Sequence, residues 1–300
     1  MLALTILGSN SAVPAHERHP TSQLLQTGYH NFLIDCGEGT QLRLAAFKLK
    51  PLKISHIFIS HLHGDHYFGL IGLLTTMGLN QRTQDLHIFS PGPLEQIIKL
   101  QLAAADGHLP YQTIFHELIH DEKIFEDEHI TVECFAVKHR IQCFGFLFKE
   151  KKNPRKIIAR KAELNDIPLS FYENLQNGED FHRPDGSVIA NDQLTTQGTP
   201  AKSYAYCADT TYHQPLSTKV KDADMIYHEA TYLHDLKEKA NGRFHSTALQ
   251  AAMIAKEAGC KKLLLGHYSS MYTDISPFQK EAAEIFPDAE CALEGVCYLI

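Results

Sequence analysis

Short apolar runs bounded by Gly, Asn and Pro alternate with segments of helical spacing through the first third of the chain. Residues 2–7, 23–27 and 32–35 read as strands. Residues 39–49 set Leu42, Leu44, Ala45, Ala46 and Leu49 at helical intervals. Residues 54–60 form another apolar strand, which stops abruptly at His61-Leu62-His63-Gly64-Asp65-His66. A buried helix over 67–79 follows, carried by Phe68, Leu70, Ile71, Leu73 and Leu74. Residues 86–90 are a strand, Pro91-Gly92-Pro93 ends it, and Pro93 suits the first turn of a helix reaching Ala105. From 113 to 148 the pattern is of strands joined by charged turns.

Residues 149–202 break this rhythm. They are polar and rich in Asn, Asp, Gly and Pro, with turn signals at Asn177-Gly178 and Pro184-Asp185-Gly186. No long apolar run lies among them, so the segment reads as an arm protruding from the main body. Strands resume at 203–207, 225–228 and 262–265, with helices at 246–258 and 276–285. The pattern predicts a single α/β domain over residues 1–300, built of two sheet-and-helix halves, with 149–202 inserted as the arm.

Composition narrows the class. A chain that is 44% apolar and 21% charged has enough to bury a core, which excludes a disordered, collagen-like or coiled-coil protein. No apolar run approaches the roughly 18–20 residues of a membrane-spanning helix. Residues 1–7 reach Gly8 and Asn10 before a signal-type apolar core could form, so they read as a first strand. Seven scattered cysteines without a C-x-x-C pair predict reduced thiols in a cytoplasmic protein. The net charge of −7 argues against a surface coated with positive charge. Between 149 and 161, however, Lys149, Lys151, Lys152, Arg155, Lys156, Arg160 and Lys161 face a single acid, Glu150. Such a run is either a solvated face or a patch that contacts phosphates, and composition does not choose between them.

The abnormal count is histidine, with 19 in 300 residues. His61, His63, Asp65 and His66 stand at the end of a strand, in a tight turn that Gly64 permits. Residues two apart in such a turn aim both imidazoles at one point, while Asp65 and His66 face a second. Imidazole and carboxylate are the ligands Zn²⁺ takes in open catalytic sites. A single histidine is more often an ordinary polar residue, but four ligand types in six positions form a metal-binding pattern. Further ligand types follow other apolar strands: His139 after 130–137, Asp209 after 204–207 and His267 after 263–266. Each alone is an ordinary loop residue. Together they fit one site that holds two ions, with an Asp able to bridge them.

At these residues the chain resembles the metallo-β-lactamase superfamily, and its neighbours resemble the ribonuclease Z (tRNA 3′-processing endonuclease) family within it. The resemblance rests on Asp35-Cys36-Gly37-Glu38-Gly39-Thr40-Gln41, on the HLHGDH form with Phe68-Gly69-Leu70 after it, and on His228-Glu229-Ala230-Thr231. His245-Ser246-Thr247 and Gly266-His267-Tyr268-Ser269-Ser270 complete it. It implies an αββα sandwich with a protruding arm and two Zn²⁺ per subunit. One ion would be held by His61, His63 and His139, the other by Asp65, His66 and His267, with Asp209 bridging. Two divalent ions about 3.5–4 Å apart clamp a hydroxide and neutralise charge on a phosphate. Asp65 would act as general base, while His245, backed by Glu229, would protonate the leaving 3′-oxygen. The implied activity removes the 3′ trailer from precursor tRNA, leaving a 3′-OH on the tRNA and a 5′-phosphate on the trailer. The resemblance further implies a homodimer in which one subunit's arm presents tRNA to the other's site.

The first loop matches the family's RNA-contacting sequence at Pro14 and Arg18 but has His16 and His19 in place of its Lys and Asn. Arg18 is therefore the expected contact with the acceptor end. The arm lacks the family's Gly-Pro tip, having Ile167-Pro168-Leu169-Ser170-Phe171-Tyr172 there. Lys151, Lys152, Arg155 and Lys156 would serve as the base of an RNA-gripping arm. Two other readings keep the same fold. A general phosphodiesterase or small-ester hydrolase would retain the ligands without the arm contacts, and an inactive RNA-binding scaffold would have lost ligands, whereas all seven are present.

Overall fold

In the computed structural model of the chain, which describes residues 2–151 and 153–300, the apolar runs pair into two seven-stranded sheets. The first has Cys297–Leu299 at one edge, then β1 (Ala3–Gly8), β2 (Ser22–Gln26), β3 (Asn31–Cys36), β4 (Ile54–Phe58), β5 (Leu86–Ser90) and β6 (Thr113–Glu117). Its first strands are antiparallel neighbours, whereas β3 to β6 run parallel. The second sheet runs Ala289–Cys291, Lys262–Gly266, Met225–Glu229 and Ser203–Cys207, all parallel. It continues with β7 (Glu122–Glu126), β8 (Ile130–Ala136) and β9 (Phe144–Glu150), β9 lying beside Ser203–Cys207.

Aromatic rings fill the space between the sheets. Phe58 of β4 lies 5.4 Å from both Phe146 and Phe148 of β9, and Phe32 lies 5.5 Å from Phe148. Helices α1 (Thr40–Ala46), α2 (Gly64–Tyr67), α3 (Leu70–Leu79) and α4 (Pro93–Ala104) follow the strands of the first sheet. Leu44, Leu73, Met77 and Ile98 from these helices are buried with Leu33, Ile57 and Ile88 of that sheet. On the second sheet, Ala251, Ala255 and Phe278 from the helices Ala248–Ala258 and Ser276–Ala283 are buried with Ile226, Leu263 and Leu265. Burying each large apolar side chain contributes about 1.5–3 kcal/mol. The layers are helix, sheet, sheet, helix, as an αββα sandwich requires.

The expected helix over 67–79 is broken after Tyr67 and begins again at Leu70. The cause is a close backbone approach. A β-carbon on Gly69 would stand 2.1 Å from the Gly37 carbonyl oxygen, and the Gly69 N–H donates to the Cys36 carbonyl at 2.9 Å. That contact draws the chain out of one continuous helix and holds the turn at residues 61–66 against the end of β3.

The chain folds as two compact units. The first comprises Met1–Phe125, Val132–Phe148 and Lys202–Ile300, and the second Glu126–Thr131 and Lys149–Ala201. The second has its own small core of Ala162, Ile167, Leu175, Ile189 and Leu194. Short helices Ala159–Leu164 and Tyr172–Asn177 supply part of it, and Phe171 meets Phe181 with ring centroids 5.0 Å apart. Asn191 ties it together, donating from its side chain to the carbonyls of Leu175 and Glu179 at 2.9 Å each. No helix among the described residues is long and apolar enough to cross a membrane.

Candidate metal centre

The parallel strands of both sheets end beside one another, and their carboxyl ends carry the ligand-type residues, as in open α/β crevices generally. β4 delivers His61, His63, Asp65 and His66. The second sheet delivers His139 beyond β8, Asp209 beyond Ser203–Cys207 and His267 beyond Lys262–Gly266. All seven residues meet. His61 Nε2 lies 3.0 Å from His63 Nδ1, which lies 3.2 Å from His139 Nε2. Asp209 Oδ2 stands 3.6 Å from His61 Nε2 and 3.9 Å from His139 Nε2. The other oxygen, Oδ1, faces a second set, 3.5 Å from His66 Nε2 and 3.2 Å from His267 Nε2. Asp65 Oδ2 completes that set at 3.6 Å from His66 Nε2 and 3.4 Å from His267 Nε2.

Divalent cations fit this arrangement on its own chemistry. His66 Nε2 and Asp209 Oδ1 are buried and make no hydrogen bond, a costly state for polar atoms unless something else binds them. Both point into the second donor set. Burial and neighbouring histidines hold His61 well below the ordinary histidine range, so it stays neutral as a ligand must. Burial likewise lowers His63 and His139. Burial would push Asp209 up, but His267 and His66 hold it well below the usual carboxylate range. Burial opposes charge on His66 also, and there Asp209, Asp65 and Asp35 carry it well upward, a proton that a cation would replace.

Outer partners fix which ring nitrogen is free. Asp35 is wholly buried and accepts from the Ser60 N–H at 2.7 Å, the Ser60 hydroxyl at 2.9 Å and His66 Nδ1 at 2.8 Å. Tyr206 also donates to it. With its hydroxyl proton turned to Asp35, Ser60 Oγ accepts from His61 Nδ1 at 3.0 Å. His139 Nδ1 donates to the Phe244 carbonyl at 3.0 Å. Thr231 Oγ1 donates to Glu229 at 2.8 Å and accepts from His267 Nδ1 at 2.9 Å. In each case the proton sits on Nδ1 and Nε2 faces the donor set, the arrangement that makes a good ligand. The Ala12 N–H donates to Asp65 Oδ2 at 2.7 Å. Sequence reasoning assigned no part to Asp35, Ser60, Thr231 or Ala12. One signal lies in the backbone: Asp35 and His267 have φ of 54° and 61°, uncommon for residues other than glycine and tolerated where surroundings enforce it.

His245 and Glu229 do touch. His245 Nδ1 lies 3.1 Å from Glu229 Oε1 and 4.0 Å from Asp209 Oδ2. Glu229 is buried and also accepts the backbone N–H groups of Thr210, Thr231 and Ser246, at 3.2, 3.0 and 2.8 Å. Burial works against a charged His245, yet the Glu229 carboxylate, with Asp209 behind it, carries the imidazole up to about 9. The ring is therefore a proton carrier at neutral pH, at the edge of a cleft of about 790 Å³ that also takes in Asp65, Asp209 and His267.

The residues expected to meet RNA stand in several different settings. Arg18 donates to Asn10 Oδ1 at 3.0 Å and to the carbonyls of Thr273 at 3.2 Å and Tyr272 at 2.5 Å, so its guanidinium braces its own loop. In the second unit Arg155 pairs with Asp192 and donates to Thr195 at 2.7 Å, and Lys151 pairs with Glu126 at 2.7 Å. Lys156 is exposed on the short strand Lys156–Ile157. Lys152 lies outside the described residues. His19 pairs with Glu294 at 2.9 Å, and His116 lies 2.9 Å from His87.

Comparison with known proteins adds the relatives. Residues 2–158 match the family model described as anti-Pycsar protein Apyc1. A ribonuclease Z of Bacteroides thetaiotaomicron is 43% identical, over 99% of this chain and 95% of its own length. One from Porphyromonas gingivalis is 40% identical over 96% of each. Among solved structures, the short form of human tRNase Z superposes with a TM-score of 0.73 at 25% identity, covering 99% of both chains. A metallo-β-lactamase fold protein from Bacillus subtilis gives 0.71 at 21% identity, over 99% of this chain and 98% of its own.

Proposed function

The chain belongs to the ribonuclease Z family, and from that premise we propose that it is a zinc-dependent endoribonuclease that cuts the 3′ trailer from precursor tRNA in the cytoplasm. The observation that carries the reading is the pair of donor sets sharing Asp209, with a protonated His245 4.0 Å from the shared carboxylate. His61, His63 and His139 would hold one ion, Asp65, His66 and His267 the other, with one oxygen of Asp209 toward each. When bound, two zinc ions supply a nucleophile at neutral pH and offset the charge that builds on a phosphate under attack.

The remaining work falls to side chains. Asp65 is kept ionised, since His66 and His267 hold it far below the usual carboxylate range despite its burial. With Oδ2 turned to the donor set and the Ala12 N–H, its other oxygen takes the proton from the attacking water. His245 gives its proton to the 3′-oxygen as the P–O bond breaks, and Glu229 holds the imidazolium in place until then. The products are a tRNA ending in 3′-OH and a trailer beginning with 5′-phosphate. His245 and Glu229 matter because a departing 3′-alkoxide needs that proton.

The second unit is the arm of this enzyme and offers tRNA an exosite, in a homodimer. Exposed Lys156, Arg160 and Lys161 support that part, whereas Arg155 is occupied within its own unit. The test is to map both product ends after the metal-loaded protein meets a precursor tRNA with a trailer, beside Asp65→Ala and a chelator-treated sample. A metal-dependent cut after the discriminator base, with the two ends named above and lost in Asp65→Ala, is the expected result. Hydrolysis of a generic phosphodiester without any cut in tRNA would overturn the substrate and leave the site.

A further inference from the structure

We propose that Phe68 forms a nucleobase-stacking site at the mouth of the metal centre, taking the base of a nucleotide next to the phosphodiester that is cut. The inference rests on the reading of the substrate as RNA and goes beyond it by naming the group that grips the strand.

Phe68 is 62% exposed, although its ring is as apolar as those buried between the sheets. A single exposed apolar residue needs no explanation by itself. This one lines the catalytic cleft, three residues after Asp65, together with Val13, which is 49% exposed, and Pro14. Its position is rigid. The ring packs on the backbone of Gly64, where an added β-carbon would fall 2.2 Å from Phe68 Cε2, and it meets Tyr67 edge-on with centroids 5.0 Å apart. The Phe68 N–H donates to the Gly64 carbonyl at 2.9 Å, and the next residue is pinned to Cys36. A ring already fixed in place loses little freedom when a base covers it.

Charge along the cleft tells the same story. The exposed guanidinium of Arg140 lies 3.3 Å from His63 Nε2, and exposed Arg243 reaches the Tyr232 hydroxyl at 3.5 Å. Both line the cleft with His63, His139 and His245, and both suit phosphates. Among the residues lining the cleft, Val13 and Pro14 add apolar surface to that of Phe68, and Glu38 adds a carboxylate, which repels phosphate. What fits there is flat, uncharged and apolar on its face. Every base offers such a face, so the contact holds the strand without demanding one sequence.

The experiment compares kcat/KM of metal-loaded wild type, Phe68→Ala and Phe68→Trp on three precursors: intact, abasic just 5′ of the cut, and abasic just 3′ of it. Loss of one base–aromatic stack corresponds to about a 5- to 150-fold fall. Phe68→Ala shows that fall on intact RNA, wild type shows it with one of the abasic precursors, and the two losses do not multiply. Phe68→Trp stays near wild type. Phe68→Ala cleaving intact RNA as wild type does, or losses that multiply, would overturn the proposal. Unchanged metal content and melting temperature in Phe68→Ala exclude misfolding. Calorimetry with uridine 5′-monophosphate and ribose 5-phosphate separates this from the choice of substrate. If wild type cuts no precursor tRNA, the site still stands when the nucleotide binds more tightly than the sugar phosphate and Phe68→Ala removes that difference. Equal binding of the two by wild type rejects it.

Discussion

Replacing Asp35 by asparagine tests whether the donor sets depend on a residue that no ion touches. The carboxylate takes four hydrogen bonds, from the Ser60 N–H, the Ser60 hydroxyl, Tyr206 and His66 Nδ1. Asparagine is nearly the same size, but one of its two acceptor oxygens becomes a donor. With the amide oxygen toward the Ser60 N–H, the NH₂ faces His66 Nδ1, which must then accept. The imidazole proton moves to Nε2, the atom that faces Asp209 and Asp65. With the amide turned over, two N–H groups oppose each other at Ser60, and a buried unpaired donor costs about 1–3 kcal/mol. The first outcome weakens the ion next to His66, and loss of such outer partners lowers metal affinity by about 10- to 100-fold, or about 1.4–2.7 kcal/mol. The assay is metal content after equilibrium dialysis against graded concentrations of a competing chelator. Asp35→Asn should release one ion at a chelator concentration at least tenfold lower than wild type. Tyr206→Phe, which removes one donor and leaves the His66 contact, should release it close to the wild-type concentration. If Asp35→Asn retained both ions like wild type, the assignment of His66's free nitrogen to Asp35 would be wrong.

Other outcomes follow from named contacts. In metal-free protein the His245 imidazole should stay protonated until pH nears about 9, because its folded value is raised; the stabilisation from its pairing is full below the ordinary histidine range and lost as pH rises through about 9. Glu229→Gln should move that titration, read by NMR, at least one pH unit lower, and an unmoved titration would refute the pairing. Asp224 accepts from Lys261 at 2.7 Å and the Ser203 N–H at 2.9 Å, which outweigh its partial burial and lower its pKa. Asp224→Asn should cost about 1–2 kcal/mol in urea unfolding at pH 7, a difference that shrinks as the pH falls below the ordinary carboxylate value; a constant difference would refute the charge argument. Arg18→Ala should slow RNA and a small phosphodiester alike, since Arg18 braces the loop that carries Ala12; loss on RNA alone would return it to RNA contact. Stripping the metal should lower the melting temperature, with recovery on adding zinc, because ions held at 100 times their Kd add about 2.7 kcal/mol to the folded state. Melting that ignored complete removal would mean the donor sets are satisfied without ions.

The residues of the donor sets were legible because each obeys a local rule. An apolar run gives a strand, the strand must end, and a residue with metal-binding chemistry at that end has little reason to be there otherwise. His61 to His66, His139, Asp209 and His267 all carry that mark, and the structure brings them together. The two-sheet architecture was legible from the same runs. What escaped depends on contacts far apart in sequence. Gly69 breaks a helix of faultless spacing because it meets Gly37. The second unit folds round five isolated apolar residues, too sparse for any periodicity to reveal. Arg18 carries the charge that suits RNA, and only the closeness of Tyr272 and Thr273 shows where that charge is engaged.

Each donor set also takes residues from both sheets. His61 and His63 come from the first and His139 from the second, while Asp65 and His66 come from the first and His267 from the second. Asp209, from the second sheet, serves both sets. Neither half of the chain therefore contains a site, however clearly it displays ligands. The aromatic layer between the sheets must pack before the donor atoms stand within reach of one another, and the same packing carries Tyr206 to Asp35 across the layer. Outer partners such as Asp35, Ser60 and Thr231 have common residue types, and although Asp35 and Thr231 fall in segments that carry the family resemblance, nothing local gives them a part in the site. Their meaning is created by the closure that makes the site. A ligand can be read from its own strand, but the tautomer that lets it bind is a property of the assembled sandwich.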